Sequence, residues 1–318
     1  MGQRLPKPII CIIGPTASGK SRLVLELCRK GVFYRPEIIS MDSAQIYKNI
    51  DIATAKPNKL EQKEFKHHLI DICDPSESYS VNKFIEDAVK IITNIKKRKG
   101  TPIIVGGAMM YFNRFINGIH SVPSIPNQIR CEILKEGKEK GWPFLHNKLK
   151  KVDCDLAAKI SPYDAQRVQR GLEVWAHTGK PLTHWINLGK STKENSKPSF
   201  LLKTIALTPK DKNILHKDIS IRFNIMIKEG LIGEVLKLKE RGDLSPQFPS
   251  IRIVGVKQTW EYLESKSNKE DLLFKGIVAT RQLAKRQLTW IRTFKNVKRV
   301  DSSEIDLNQI ISICKSSV

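Results

Sequence analysis

Short apolar runs alternate with longer amphipathic stretches through the first third of the chain. Residues 8–13 are almost continuously apolar, as in a strand covered on both faces of a parallel sheet. Residues 19–30 place Leu23, Val24 and Leu27 at helical spacing, and Gly31 ends the stretch. A second run, 37–40, stops at Asp42-Ser43, and a third covers 69–72. Residues 81–99 predict an amphipathic helix with a basic end, stopped by Gly100. A fourth strand is expected over 101–105, closed by Gly106-Gly107, with a helix over 108–116. Strands alternating with helices imply an α/β fold with a mostly parallel sheet.

The texture changes from about 121 to 196, where strand patterns vanish. Helices are expected over 125–140, 143–150 and 164–177, the last carrying Val168, Leu172 and Trp175 on one face. Thr178-Gly179-Lys180-Pro181 supplies stop signals, and the polar stretch 189–199 reads as a loop. Residues 200–207 return to a strand pattern, and helices follow over 219–229, 232–240, 255–265 and 272–293. The organisation expected is a core of 1–120 with 197–318, mostly helical toward its end, interrupted by an all-helical insertion over 121–196.

Composition changes this picture in one respect. Over 318 residues, 40% hydrophobic and 27% charged positions are ordinary for a globular protein, but a net charge of +23 is not. Such an excess repels itself and suits a polyanionic partner, either nucleic acid or an anionic surface; a solubility role is the bland alternative. No stretch approaches the roughly 20 apolar residues of a membrane span, and the N-terminal run lacks a cleavage pattern. A cytoplasmic protein, acting as a monomer and without membrane attachment, is expected. The six cysteines form no C-x-x-C pair and read as structural thiols, and His67, His68, His120 and His184 match no metal spacing.

The chemistry starts at Gly14-Pro15-Thr16-Ala17-Ser18-Gly19-Lys20-Ser21, a full match to G-x-x-x-x-G-K-[ST] between an expected strand and an expected helix. Backbone N–H groups in such a P-loop turn inward around phosphate oxygens, helped by the helix N-terminus. Lys20 reaches the terminal phosphate, and the Ser21 hydroxyl suits a bound Mg²⁺, directly or through water. The fold expected is therefore a P-loop-type parallel sheet flanked by helices. The motif specifies phosphate, not ATP. Asp42 lies past the end of the second expected strand, on the edge where the P-loop sits. There it could hold Mg²⁺ through water or accept a proton, or simply cap a turn. Position alone does not separate these readings.

Taken together, the motifs resemble those of the bacterial tRNA dimethylallyltransferases. The P-loop variant Gly14–Ser21 is followed by Asp42-Ser43-Ala44-Gln45-Ile46-Tyr47, Asp51-Ile52-Ala53-Thr54-Ala55-Lys56-Pro57, His67-His68-Leu69-Ile70-Asp71 and Val105-Gly106-Gly107. Asp164-Ala165-Gln166-Arg167-Val168-Gln169-Arg170 and Lys285-Arg286-Gln287-Leu288-Thr289-Trp290-Ile291-Arg292 complete the ordered series. The resemblance implies transfer of a dimethylallyl group from dimethylallyl diphosphate to N6 of the adenosine on the 3′ side of a tRNA anticodon, with diphosphate released. The P-loop would then hold a prenyl diphosphate, with Lys20 and Mg²⁺ steadying the leaving group, and Asp42 would receive the N6 proton.

The same resemblance assigns Arg222 to the diphosphate, although the residue read alone favours a helix-surface ion pair. It assigns the anticodon stem-loop to Asp42, Ser43, Ala44, Gln45, Ala108, Arg130, Gln166, Arg167, Val168, Gln169, Arg170, Arg252, Gly255, Lys257, Lys285, Arg286, Gln287 and Arg292, with Trp290 packing inward. One departure is Ala108, where the family usually has threonine near the adenine. A bacterial form, without the C-terminal zinc finger of eukaryotic members, is expected. Two other activities share parts of the pattern: prenylation of free adenine nucleotides, which would not need the basic helices, and phosphoryl transfer by a small-molecule P-loop kinase.

Overall fold

The first apolar run forms the middle of a sheet, which is why it shows no alternation. The computed structural model describes residues 8–118, 122–191, 200–265 and 268–316. β1 (Ile9–Ile13) is buried along its whole length. α1 (Lys20–Arg29), β2 (Pro36–Ser40), α2 (Lys59–Glu64), β3 (His67–His68), α3 (Val81–Lys97), β4 (Thr101–Gly106) and α4 (Met109–Asn117) follow. Five helices come next: α5 (Asn127–Lys140), α6 (Trp142–Val152), α7 (Cys154–Ala157), α8 (Ala165–Thr178) and α9 (Leu182–Ser191). β5 (Leu202–Thr208) returns to the sheet before α10 (Lys212–Lys228), α11 (Leu231–Glu240), α12 (Val256–Glu264) and α13 (Lys269–Thr293). β6 (Lys298–Asp301) and α14 (Leu307–Lys315) close the described chain.

The sheet has six strands in the order β3-β2-β4-β1-β5-β6, and every neighbouring pair is parallel. All C-terminal strand ends therefore point to one edge. The strand order seats the ends of β2, β4 and β1 side by side there, and this decides which loops meet. α1 covers the sheet with Leu23, Val24 and Leu27 against Ile10, Ile12, Ile103, Val105 and Ile205. A second core joins α10 to α13 with Ile46, Tyr47 and Ile50. Phe223 of α10 fits where Gly276 of α13 has no side chain: a Cβ there would stand 2.0 Å from the ring.

The chain forms two compact units, Met1–Asn113 with Ser199–Val318, and Arg114–Pro198. The second holds only helices among its described residues, around a small core of Leu145, Leu149, Ala157, Val168 and Leu172.

Several elements depart from the sequence expectation, among them the unannounced α7 and α14 and the early start of α10 at Lys212 rather than 219. The third strand is His67–His68 rather than 69–72. Leu69 and Asp71 take left-handed φ of 61° and 55°, so the chain turns away from the sheet. β6 adds a strand that no periodicity announces, since Val300 is the only buried residue among Lys298, Arg299 and Asp301. α9 begins directly after Pro181 and takes in the start of the expected loop. Gly179, at φ 65°, ends α8 as its C-cap, so the stop signals mark a gap between two helices. The rest of that expected loop, 192–199, lies outside the described residues. α2, unannounced, is a one-sided surface helix capped by Asn58 and Glu61.

Candidate active site

The P-loop connects β1 to α1. Ala17 and Gly19 both hold left-handed backbone, φ 63° and 79°, the conformation from which anion-binding backbone nests are built. No side chain caps α1, so its first N–H groups are available to an anion. The Ser18 hydroxyl is buried with no hydrogen-bond partner. The Lys20 ammonium folds back and donates to Pro15 O at 2.6 Å. Its pKa is pulled down to about 8, by burial first and then by Arg222, against the opposing pull of Asp42. Ser21 is exposed at the start of the helix.

Asp42 stands just beyond β2. Its Oδ1 accepts the Ala44 N–H at 2.8 Å, so the turn-capping reading is correct for one oxygen. Oδ2 carries no hydrogen bond among the described residues. The charge is felt around it. It raises the pKa of Lys20 and of Arg222, and with burial it pushes the Tyr111 hydroxyl up to about 12. Arg222, on α10, is half-buried and makes no salt bridge among the described residues. The surface ion pair favoured by the residue alone is therefore absent. Burial pulls the Arg222 pKa down and Asp42 holds it up. Lys20, Arg222 and Asp42 thus form one electrostatic cluster of two cations and a carboxylate.

The turn after β4 touches both the P-loop, at Gly14, and the loop that carries Asp42, at Met41. A Cβ on Gly106 would sit 1.9 Å from Met41 O, and one on Gly107 would sit 2.5 Å from Gln287 Nε2. Ala108 N–H donates to Met41 O at 3.2 Å, so the position of the usual family threonine abuts the residue preceding Asp42. Gln287, read from sequence as a tRNA contact, turns inward instead. Its Oε1 accepts Thr16 N–H at 2.8 Å, and its Nε2 donates to Gly107 O at 2.9 Å.

Other residues expected to touch tRNA divide between surface and interior. Ser43, Arg252, Lys257, Lys285, Arg286 and Arg292 are exposed, and Ala44 is half-buried. Lys257 is held by Glu261 at 3.7 Å. Gln45 is an internal brace: its Oε1 accepts the Ser40 hydroxyl at 2.8 Å, and its Nε2 donates to Thr54 O and Ala55 O at 3.3 Å. Gly255 is buried, and its N–H donates to Gln258. Trp290 is not inward; it is 39% exposed, one turn from Arg286.

In the helical unit, Gln166 and Arg167 are exposed. Val168 is 0% exposed and part of the core, so its side chain offers no contact surface and its expected role is withdrawn. Gln169 donates to Glu173 at 2.9 Å, and Arg130 and Arg170 lie 3.7 and 3.6 Å from the same buried carboxylate. Glu173 thus aims two guanidinium groups. A glutamate on the apolar side of a helix is the signal that could have found it.

Two further residues escaped the sequence reading. Glu234 accepts the backbone N–H groups of Asp51, Ile52 and Ala53, which makes that motif block a structural loop. Arg281 donates to the Ser220 hydroxyl, while its Nε is buried without a partner. Among the described residues no three His, Cys, Asp or Glu gather as metal ligands. His67 and His68 bond Phe65 O and Glu37; His120 lies outside the described residues. All six cysteines are free, and Cys131 and Cys154 are exposed rather than structural.

Residues 45–294 match the family described as IPP transferase. The chain belongs to that family. It is 41% identical to the tRNA dimethylallyltransferase of Polynucleobacter necessarius over 98% of this chain and 95% of that protein. Against the tRNA dimethylallyltransferase of Coxiella burnetii the identity is 42%, over 96% and 97%. Among solved structures, the full-length tRNA isopentenylpyrophosphate transferase of Bacillus halodurans superposes with a TM-score of 0.67 at 34% identity, covering 96% of this chain and 93% of that one. A eukaryotic dimethylallyltransferase acting on tRNA gives 0.73 at 28% identity, over 96% and 75%. The family match begins just after Asp42, so the P-loop is placed in the IPP transferase frame by the near-full-length relatives. No helix among the described residues is long and apolar enough to cross a membrane.

Proposed function

We propose that this chain transfers the dimethylallyl group of dimethylallyl diphosphate to N6 of the adenosine 3′ to a tRNA anticodon, releasing diphosphate. The observation that carries the reading is that Lys20, Arg222 and Asp42 act electrostatically on one another, in a chain whose near-full-length relatives are named tRNA dimethylallyltransferases. The P-loop amides, Lys20 and Arg222 receive the diphosphate. N6 attacks the allylic carbon, the carbon–oxygen bond breaks, and its electron pair leaves on the diphosphate. The proton released from N6 passes to Asp42. Fixed cations beside the departing oxygen stabilise charge as it develops, which is where electrostatic preorganisation has most effect.

The site suits Mg²⁺ in the way that ion is usually held, with few protein oxygens and the rest from phosphate and water. The exposed Ser21 hydroxyl is the protein donor, and no carboxylate cage competes for the ion among the described residues. When bound, the ion would neutralise diphosphate charge.

The acceptor reaches the site from a single-stranded loop, which lowers the cost of unstacking its base. Exposed Lys285, Arg286, Arg292 and Arg252 on one unit, and exposed Gln166, Arg167 and Arg130 with half-buried Arg170 on the other, are the proposed tRNA contacts. Arg286→Ala is expected to weaken tRNA binding and lower its salt slope by about 1, measured by titration across a salt series; an unchanged slope removes Arg286 from the interface.

The deciding experiment supplies labelled dimethylallyl diphosphate with unmodified tRNA, and separately with AMP. Label in tRNA alone is expected. Label only in AMP would make the chain a nucleotide prenyltransferase. No label in either, with turnover of ATP, would return it to the kinases.

A further inference from the structure

Gln287 is the residue whose placement departs furthest from its expected role. It lies on α13 between the exposed Lys285, Arg286 and Arg292, yet its amide is spent inside the protein. One end holds Thr16 N–H of the P-loop, and the other holds Gly107 O of the turn after β4. That turn is in turn fastened to Met41, through Ala108 N–H and through the absence of a side chain on Gly106. Three loops are thereby tied in series: the one after β1 that carries Lys20, the one after β4, and the one after β2 that carries Asp42. α13 also presses on the P-loop at the next residue, since Ala17 packs against the cluster of Ile219 and Ala284 with Leu288.

We infer that Gln287 is a positioning residue: it sets the P-loop against the edge that carries Asp42, and it links tRNA docking on the outer face of α13 to diphosphate binding in the loop. This rests on the assignment of diphosphate to the P-loop and tRNA to α13. Thr16 N–H belongs to the loop's own backbone, so whatever pins it decides how much freedom the loop loses when an anion binds. Lys285 and Arg286 are two and one residues away on the same helix, so a ligand that fixes their face also fixes Gln287. Coupling of this kind is reciprocal: tRNA tightens diphosphate binding by the same factor as diphosphate tightens tRNA.

Gln287→Met keeps the side chain's length and removes both hydrogen bonds. Gly107→Ala acts from the other side, since its methyl would displace Nε2 while Gln287 remains. Calorimetry would measure inorganic diphosphate with Mg²⁺ on the free protein, tRNA on the free protein, and diphosphate on the tRNA complex, with thermal melting as a check on folding. Each variant is expected to weaken diphosphate about tenfold, as two lost hydrogen bonds allow, to leave tRNA affinity within about twofold, and to abolish the gain in diphosphate affinity that tRNA confers on the wild type. Weakened tRNA binding with unchanged diphosphate binding would make Gln287 a tRNA contact and overturn the inference. Unchanged values for both ligands would reduce the bridge to packing and overturn it equally. A wild-type protein that binds tRNA but no diphosphate would instead remove the P-loop assignment, and this inference with it.

Discussion

Asp42→Ala is expected to lower kcat by about 10²–10⁴, the range of a lost general base, while tRNA affinity stays near wild type. Two roles converge on this carboxylate, and alanine removes both. Oδ1 holds the turn through Ala44 N–H, whereas the acceptor of the N6 proton must be the oxygen left without a partner. Asp42→Asn separates them. An asparagine oxygen still accepts from Ala44 N–H, so melting temperature should be kept, but a neutral amide takes no proton, so turnover should fall as far as with alanine. The negative charge also stands in the same electrostatic cluster as Lys20 and Arg222. Removing it should tighten diphosphate binding while slowing the reaction. Measuring kcat with diphosphate affinity for both variants tests this; near-wild-type turnover in Asp42→Asn leaves Asp42 as a turn cap only.

The central strands and the P-loop were legible because their physics is local. A buried parallel strand must be apolar throughout, and a phosphate loop must carry glycine, lysine and hydroxyl at set spacings. β6 was not legible because an edge strand buries one residue in four. His67–His68 was displaced by two residues because left-handed turns at Leu69 and Asp71 leave no trace in periodicity. The cluster itself was half legible. Asp42 and Lys20 follow from strand order, but Arg222 arrives on a helix some 180 positions later in the chain, brought there by Phe223 seating on Gly276. Gln45, Val168 and Gln287 show the limit of motif reading. Each lies within a recognisable block, and each turns inward, because a block marks the residues a family needs without saying whether a ligand or the fold needs them.

Lys20→Ala is expected to lower kcat/KM for dimethylallyl diphosphate by about 10²–10³, the usual loss when one charge-stabilising donor is removed, with KM for tRNA little changed. Lys20 also makes binding depend on pH in a direction fixed by its surroundings. Without ligand, burial and Arg222 pull its pKa down to about 8. A bound diphosphate places negative charge beside the ammonium and raises that pKa again. Below the lowered value Lys20 is charged before and after binding, and affinity does not depend on it. As pH climbs through about 8, the free protein loses the proton that the complex keeps. Binding must then take up a proton, and affinity falls with rising pH until the raised pKa of the complex is passed. Calorimetry of a prenyl diphosphate analogue in two buffers of different ionisation enthalpy reads the uptake directly. Wild type should take up about half a proton at that pH and approach one about a pH unit above it, and Lys20→Ala should show none from this source. Equal uptake in both proteins would place the titrating group elsewhere, with Lys20 then charged throughout and the P-loop less dry than its geometry implies.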